Sequence, residues 1–212
     1  MTRMPITGVI LAGGLNRRME GRAKALLTVQ GEALIVRQLK EMSAVCGQLI
    51  VVTNEAEALQ TMIGQSLDMN VTYVTDVYRQ NGPLSGIHAA ALAATMPHLW
   101  IVGCDMPLIS SEAAAAMVSL CRDENVDAVI PEIDGRLHPL HGIYAREVGP
   151  EAELHLQKES YKLMKLLDHL DWLPVRNDFF KQRQLRTNFV VNVNTPQDFA
   201  DMLTNLSSFT DF

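Results

Sequence analysis

Apolar residues in this chain come in short continuous runs separated by stretches of helical spacing. Strand-like runs fall at residues 8–12, 49–53, 71–75, 99–104 and 126–131, each β-branched or continuously apolar. Between them, residues 34–45, 55–63, 84–94 and 112–122 place their apolar positions at helical intervals. Strands that are apolar throughout, rather than at every second position, are buried on both faces, as a parallel sheet covered by helices requires. The pattern predicts a doubly wound α/β sandwich.

Beyond residue 131 the rhythm changes. Asp134-Gly135 is a turn signal, and residues 136–144 read as an extended segment containing His138, Pro139 and His141. Helical character returns over 151–168, short strands are expected at 172–175 and 189–193, and a last helix over 195–203 has Pro196 in its first turn. No linker, repeat or low-complexity tract interrupts the 212 residues, which predicts one domain over 1–212.

Composition narrows the function. A net charge of −6 opposes general nucleic-acid binding, which needs a basic face. Cys46, Cys104 and Cys121 are odd in number and widely spaced, with no CxxC pair and no histidine at zinc-like spacing, so neither a disulfide framework nor a structural metal is expected. A reducing cytoplasm is the expected setting. The first apolar run, 6–12, is broken by Thr7 and Gly8 and is too short for a signal peptide or a membrane span.

In open parallel sheets ligands gather beyond the carboxyl ends of the strands. After the first strand comes Gly13-Gly14-Leu15-Asn16-Arg17-Arg18-Met19-Glu20-Gly21-Arg22-Ala23-Lys24, whose four positive charges and one negative charge give a net of +3. Glycines allow close backbone approach to an anion, and Arg and Lys supply cations. The segment follows neither the dinucleotide GxGxxG nor the Walker pattern, and on residues alone it also reads as an ordinary loop with solvated arginines. Asp76 follows the third strand and precedes Gly82-Pro83-Leu84, blandly a helix-entry turn. Cys104-Asp105-Met106-Pro107 follows the most apolar strand; Asp105 is either a turn-stabilising carboxylate or a ligand, and Cys104, with no base beside it, reads as a small buried residue. Residues 134–146 read equally as a solvated hairpin.

Leu11-Ala12-Gly13-Gly14, then Arg17-Arg18-Met19, then Lys24-Ala25-Leu26-Leu27 resembles the signature of nucleotidyltransferases built on a Rossmann-like sheet, and among them the molybdenum cofactor guanylyltransferase family. The resemblance runs from Val9 to Phe199 and includes the Cys104–Pro107 segment, Asp134-Gly135-Arg136 with Pro139-Leu140, and Asn192-Val193-Asn194-Thr195-Pro196. Asn16, Glu20 and Ala23 depart from it, standing where Ser, Gly and Asp are common. It implies a three-layer α/β/α sandwich with a mostly parallel sheet, a nucleotide-binding part to about residue 110 and an acceptor-binding part over about 111–205. The activity implied is transfer of GMP from GTP to the terminal phosphate of molybdenum-molybdopterin, with release of pyrophosphate. Leu11, Ala12, Gly13, Gly14, Lys24, Asp76 and Asp105 would bind GTP. Arg18, Lys24 and Asp105 would be catalytic, with Asp105 holding Mg2+. Arg136, His138, Asn192 and Asn194 would meet the acceptor. Transient contact with cofactor-biosynthesis or acceptor proteins, and no nucleic acid or membrane partner, belong to the same expectation. Two rivals remain: a cytidylyltransferase of the same fold, which usually resembles LAAG and DQPL where this chain has LAGG and CDMP, and a non-catalytic GTP-binding protein.

Overall fold

A computed structural model describes residues 3–13, 27–29, 31–67, 69–78, 82–195 and 197–201. The first strand, β1 (Met4–Leu11), lies at the centre of an eight-stranded sheet, its residues buried from Ile6 onward. On one side it pairs in parallel with β4 (Cys46–Val52), which pairs in parallel with β5 (Thr72–Val74). On the other side comes β6 (His98–Gly103), also parallel. Beyond it β9 (Gly142–Ala145) runs antiparallel, followed by β7 (Ala128–Ile133) and β10 (Trp172–Arg176), which are parallel to each other and to β1. The short β8 (Arg136–Leu137) folds back on β7. A separate ribbon, β2 (Thr28–Val29) and β3 (Glu32–Ala33), leads into the first helix.

Alternation along the strands sends side chains to two cores. Ile6, Ile10, Trp100 and Val102 face α1 (Leu34–Ser43), α2 (Ala56–Ser66) and α4 (Ser111–Glu124). Val9, Leu11, Leu99 and Ile101 face α3 (Pro83–Ala93), α5 (Val148–Gln157) and α6 (Leu163–Leu167). This is the expected three-layer sandwich with a mostly parallel sheet. Burial on both faces is why these strands are apolar throughout.

Small residues set the spacing on the second face. A Cβ on Gly86 would lie 2.8 Å from Leu11 Cδ2, and one on Gly149 would lie 3.1 Å from Ala91 Cβ, so α3 sits close to β1 and α5 close to α3. Capping explains α4: Ser110 Oγ accepts the Ala113 N–H at 3.1 Å, and Asn125 closes the helix with φ of 54°.

The Asp134-Gly135 signal is borne out. Both residues have positive φ, 51° and 76°, and Ile133 pairs with Arg136 across a two-residue hairpin. The helical character expected over 151–168 is divided between two helices: Glu159 takes φ of 57° and the Ser160 N–H turns back to His155 O at 2.9 Å, which ends α5 before α6 begins. The extended stretch 136–144 is two strands separated by a loop in which His141 has φ of 72°. No strand forms at 189–193. Asn188–Val190 is a 3-10 turn because Phe189 drives into the core, and Val193 gives its N–H to a turn instead of a ladder. The helix α7 (Asn177–Lys181) was not anticipated.

The two glycine environments predict opposite outcomes. Gly86→Val should destabilise by about 1–3 kcal/mol through overpacking against Leu11. Gly64→Ala, on exposed α2 with nothing within 4 Å of the new Cβ, should stabilise by about 0.5–1 kcal/mol. Urea unfolding midpoints check both.

Candidate active site

Three strand exits meet at the carboxyl edge of the sheet. Leu11 and Ala12 bury their side chains in the two cores, Ala12 N–H donates to Val52 O at 2.9 Å, and Leu11 O accepts from Cys104 N–H at 3.1 Å. These two residues therefore anchor the chain, and Gly13 is the first exposed position. Gly14, Arg18 and Lys24 lie outside the described residues, as do Asn16, Glu20, Ala23 and Pro196.

Asp76 lies just past β5. It is only 9% exposed, and its Oδ1 is buried with no hydrogen-bond partner among the described residues. Its Oδ2 is 4.0 Å from where a Gly13 Cβ would stand. The exits of β1 and β5 thus face each other. An unsatisfied buried acceptor costs about 1–3 kcal/mol, which donors on a ligand would remove. Gly82, at φ of 73°, then turns the chain into α3 with Pro83 in its first turn.

Asp105 occupies the turn after β6. A Cβ on Gly103 would fall 2.6 Å from Asp105 Oδ1, so the carboxylate folds into space that only glycine leaves open. The turn is clamped from below. Gln38 Nε2 donates to Gly103 O and to Met106 O, each at 2.8 Å. From the C-terminal side, Val193 N–H donates to Asp105 O at 2.8 Å. A carboxylate oxygen seated on so fixed a turn is the hard donor that suits Mg2+, which asks for one or two carboxylates and completes its shell with water and phosphate.

The expected acceptor residues reach the same edge by different routes. Asn192 and Asn194 are exposed and flank Val193, which places them next to the Asp105 turn. The Asn194 and Thr195 N–H groups both donate to Asp198 Oδ2, at 2.8 and 2.9 Å, while Thr195 Oγ1 accepts from Asp198 N–H, so this stretch is a capping box. Arg136 is exposed on β8, and His138 is half-buried with its N–H on Pro131 O. Burial pushes the His138 pKa down, the Ile133 backbone partly opposes this, and the Arg136 charge adds to it. Leu140 Cδ1, two residues on, is 3.5 Å from the Gly103 Cβ position, so this loop packs beside the turn.

Two residues that organise the site were not anticipated. Gln38 is wholly buried on α1, within the apolar stripe of Leu34, Ile35, Leu39 and Met42, and a lone polar residue on that stripe was the available signal. His141 is also wholly buried. Its Nε2 accepts the Ser110 N–H at 3.1 Å and its ring packs edge-on to Trp100 and tilted on Phe189. Burial pushes its pKa down to about 3, so the ring stays neutral and able to accept. Cys104 is buried, as expected of a packing residue. On the α1 and α4 side of the turn lies a cavity of about 450 Å³. Its walls include Arg37, Gln38, Glu41, Pro107, Arg186 and Asn188, and neither Asp76 nor Gly13 lines it.

A mostly parallel sheet with a glycine at the exit of its central strand and carboxylates at the exits of two others defines a Rossmann-like nucleotide-binding protein. The chain belongs to the MobA-like NTP transferase domain family, whose model matches residues 8–173. It is 34% identical over 200 residues to a probable molybdenum cofactor guanylyltransferase of Pelotomaculum thermopropionicum, with 92% of this chain and 90% of that one covered. Its fold is similar to that of molybdopterin-guanine dinucleotide biosynthesis protein A from Archaeoglobus fulgidus, with a TM-score of 0.80 at 22% identity over 95% of this chain and 99% of that one. A manganese complex of Rv0371C from Mycobacterium tuberculosis shares the fold at a TM-score of 0.62 and 16% identity, over 94% of this chain and 98% of that one. Among the described residues no helix is long and apolar enough to cross a membrane.

His141 makes stability depend on pH. Between its ordinary value of 6.5 and about 3, the unfolded chain takes up a proton that the folded chain refuses. Stability present above pH 6.5 is therefore lost as the pH falls, by up to about 1.4 kcal/mol per pH unit for this one group. His141→Asn, which tolerates the positive φ, should be less stable at pH 7 yet show a shallower decline between pH 6.5 and 4 in urea titrations.

Proposed function

We propose that the protein transfers GMP from GTP to the terminal phosphate of molybdenum-molybdopterin, forming molybdopterin guanine dinucleotide and pyrophosphate. The observation that carries the reading is the pairing of Asp76, whose buried Oδ1 has no partner among the described residues and whose Oδ2 lies opposite Gly13, with Asp105 on a clamped turn at the exit of β6. Family membership and the names of the relatives support the same activity.

In the proposed mechanism an acceptor phosphate oxygen attacks the α-phosphorus of GTP in line, the bond from that phosphorus to the bridging oxygen breaks, and pyrophosphate leaves. The chemistry asks the protein for positioning and charge neutralisation more than for acid or base work. Asp76 accepts N–H donors from the guanine edge, as carboxylates do from other bases. Gly13 and Gly14 allow the backbone to approach the phosphates, and Arg18 and Lys24 neutralise the departing β and γ groups. Asp105 is the residue that would hold Mg2+, and Gln38 keeps its turn in place. Bound there, Mg2+ supplies electrostatic stabilisation of the phosphate oxygens. Asn192 and Asn194 beside that turn, with Arg136 and His138 at the same edge, receive the acceptor. The acceptor-binding part is then the chain from about residue 111 to 205.

Thermal scans with GTP, CTP, ATP and UTP, each with Mg2+, should show selective stabilisation by GTP. Preference for CTP would overturn the guanylyl assignment, and GTP binding without pyrophosphate release on adding the acceptor would mark a non-catalytic binder. Asp105→Asn and Lys24→Ala should each lower kcat at least about a hundredfold with little change in melting temperature. Asp76→Asn should weaken GTP binding, and unchanged affinity and turnover would remove Asp76 from the site.

A further inference from the structure

Glu151 and His155 stand four residues apart on α5 and so leave the same helix face one turn apart. The chain leaving α6 brings His169 against them. His155 Nε2 lies 3.2 Å from His169 Nδ1 and 3.5 Å from Glu151 Oε1, and the three ligand atoms all fall within 4.8 Å of one another. A tetrahedral ion with nitrogen and oxygen ligands at about 2.0–2.1 Å sets its ligand atoms about 3.3–3.4 Å apart. Two edges of that figure are therefore already present. The third closes by rotation of the partly exposed Glu151 side chain.

We propose that Glu151, His155 and His169 bind one divalent ion of the zinc class, with a fourth position open to water. Two imidazoles and one carboxylate suit a borderline ion, whereas Mg2+ prefers oxygen alone. The two imidazoles already stand together. His155 is buried on a helix whose Ala152 and Leu156 are packed in the core, and its ring meets that of His169 edge-on with centroids 4.8 Å apart. His169 is exposed, which gives the ion an entry path.

This ion is separate from the one proposed at Asp105. β10 runs parallel to β1, so the chain at His169, just before Trp172, lies at the amino edge of the sheet, opposite the nucleotide site. Its work is structural: it ties α5 to the connection between α6 and β10. Binding displaces the contact between His169 Nδ1 and Lys165 O at 3.1 Å. His155 Nδ1 has no hydrogen-bond partner among the described residues, so the ring lacks the outer support usual for metal-bound histidine, which weakens the site by about 10–100-fold.

Chelator-stripped protein titrated calorimetrically with Zn2+ alone, without nucleotide, tests the proposal. One equivalent should bind, and the melting temperature should rise by roughly 5–10 °C at a hundredfold excess over Kd. Co2+ in its place should give the intense visible absorption of a four-coordinate site. His169→Ala, an exposed change that spares the fold, should abolish binding and shift, while Asp105→Asn keeps both. The absence of saturable binding, a pale six-coordinate Co2+ spectrum, or binding that survives His169→Ala would each overturn it.

Discussion

The structure depends most on one amide. Gln38 Nε2, buried beneath the sheet edge, reaches the carbonyls of Gly103 and Met106, 65 and 68 residues further along the chain. The Gly103 oxygen also takes the Met106 N–H at 3.2 Å, whereas the Met106 oxygen, where the chain doubles back, would cost about 1–3 kcal/mol if left dry and unpaired. That exceeds what the Lys40–Glu32 pair at the surface contributes, since such pairs are worth about 0–1 kcal/mol. With the turn held, the Asp105 carboxylate lies over Gly103, Val193 docks on the Asp105 carbonyl, and Leu140 packs alongside. His141 knits the following segment to the core through the Ser110 N–H.

The same clamp joins the two halves of the chain. α1 lies early in the chain, yet its Gln38 fixes a turn on which residues 140 and 193 also converge. In the proposed reaction two chemically distinct ligands would share one edge of one sheet, with Asp76 and Gly13 on one flank and the asparagines beside Val193 on the other. Electrostatics divide similarly. A segment of net charge +3 follows in sequence a strand that ends between two carboxylates, in a chain of net charge −6. The proposed reaction would draw its cations for phosphate and its carboxylates for base and metal from these segments.

Much of this was legible before the fold was known, for a physical reason. Strands buried on both faces, such as 99–104, must be apolar throughout, and the residues that interrupt them mark the edge where ligands bind; Asp76 and Asp105 stood out on those grounds. The Asp134-Gly135 hairpin was legible because its backbone needs two positive φ values. What escaped depends on tertiary contacts. Gln38 shows only as a lone polar residue on an apolar stripe, and its partners, the carbonyls of Gly103 and Met106, appear only in the fold. His141 in a Pro-Leu-His-Gly segment resembles a solvated loop residue, although it is wholly buried. Phe189 and Val193 have strand-like side chains, but Phe189 packs against His141 and Phe180 and Val193 gives its N–H to the Asp105 carbonyl. Glu151 and His155 show a spacing of four that is common on exposed helices, and only the fold brings His169 to them.

In the proposed reaction the Gln38 clamp positions Asp105 for a metal-bound nucleotide. The direct measurement is guanylyl transfer by Gln38→Leu as a function of Mg2+ concentration, at a temperature where circular dichroism shows the variant folded. The Mg2+ needed for half-maximal turnover should rise by about 10–100-fold, as when the outer support of a metal ligand is lost, and excess Mg2+ should restore much of the rate. An unchanged Mg2+ dependence in the folded variant would contradict it.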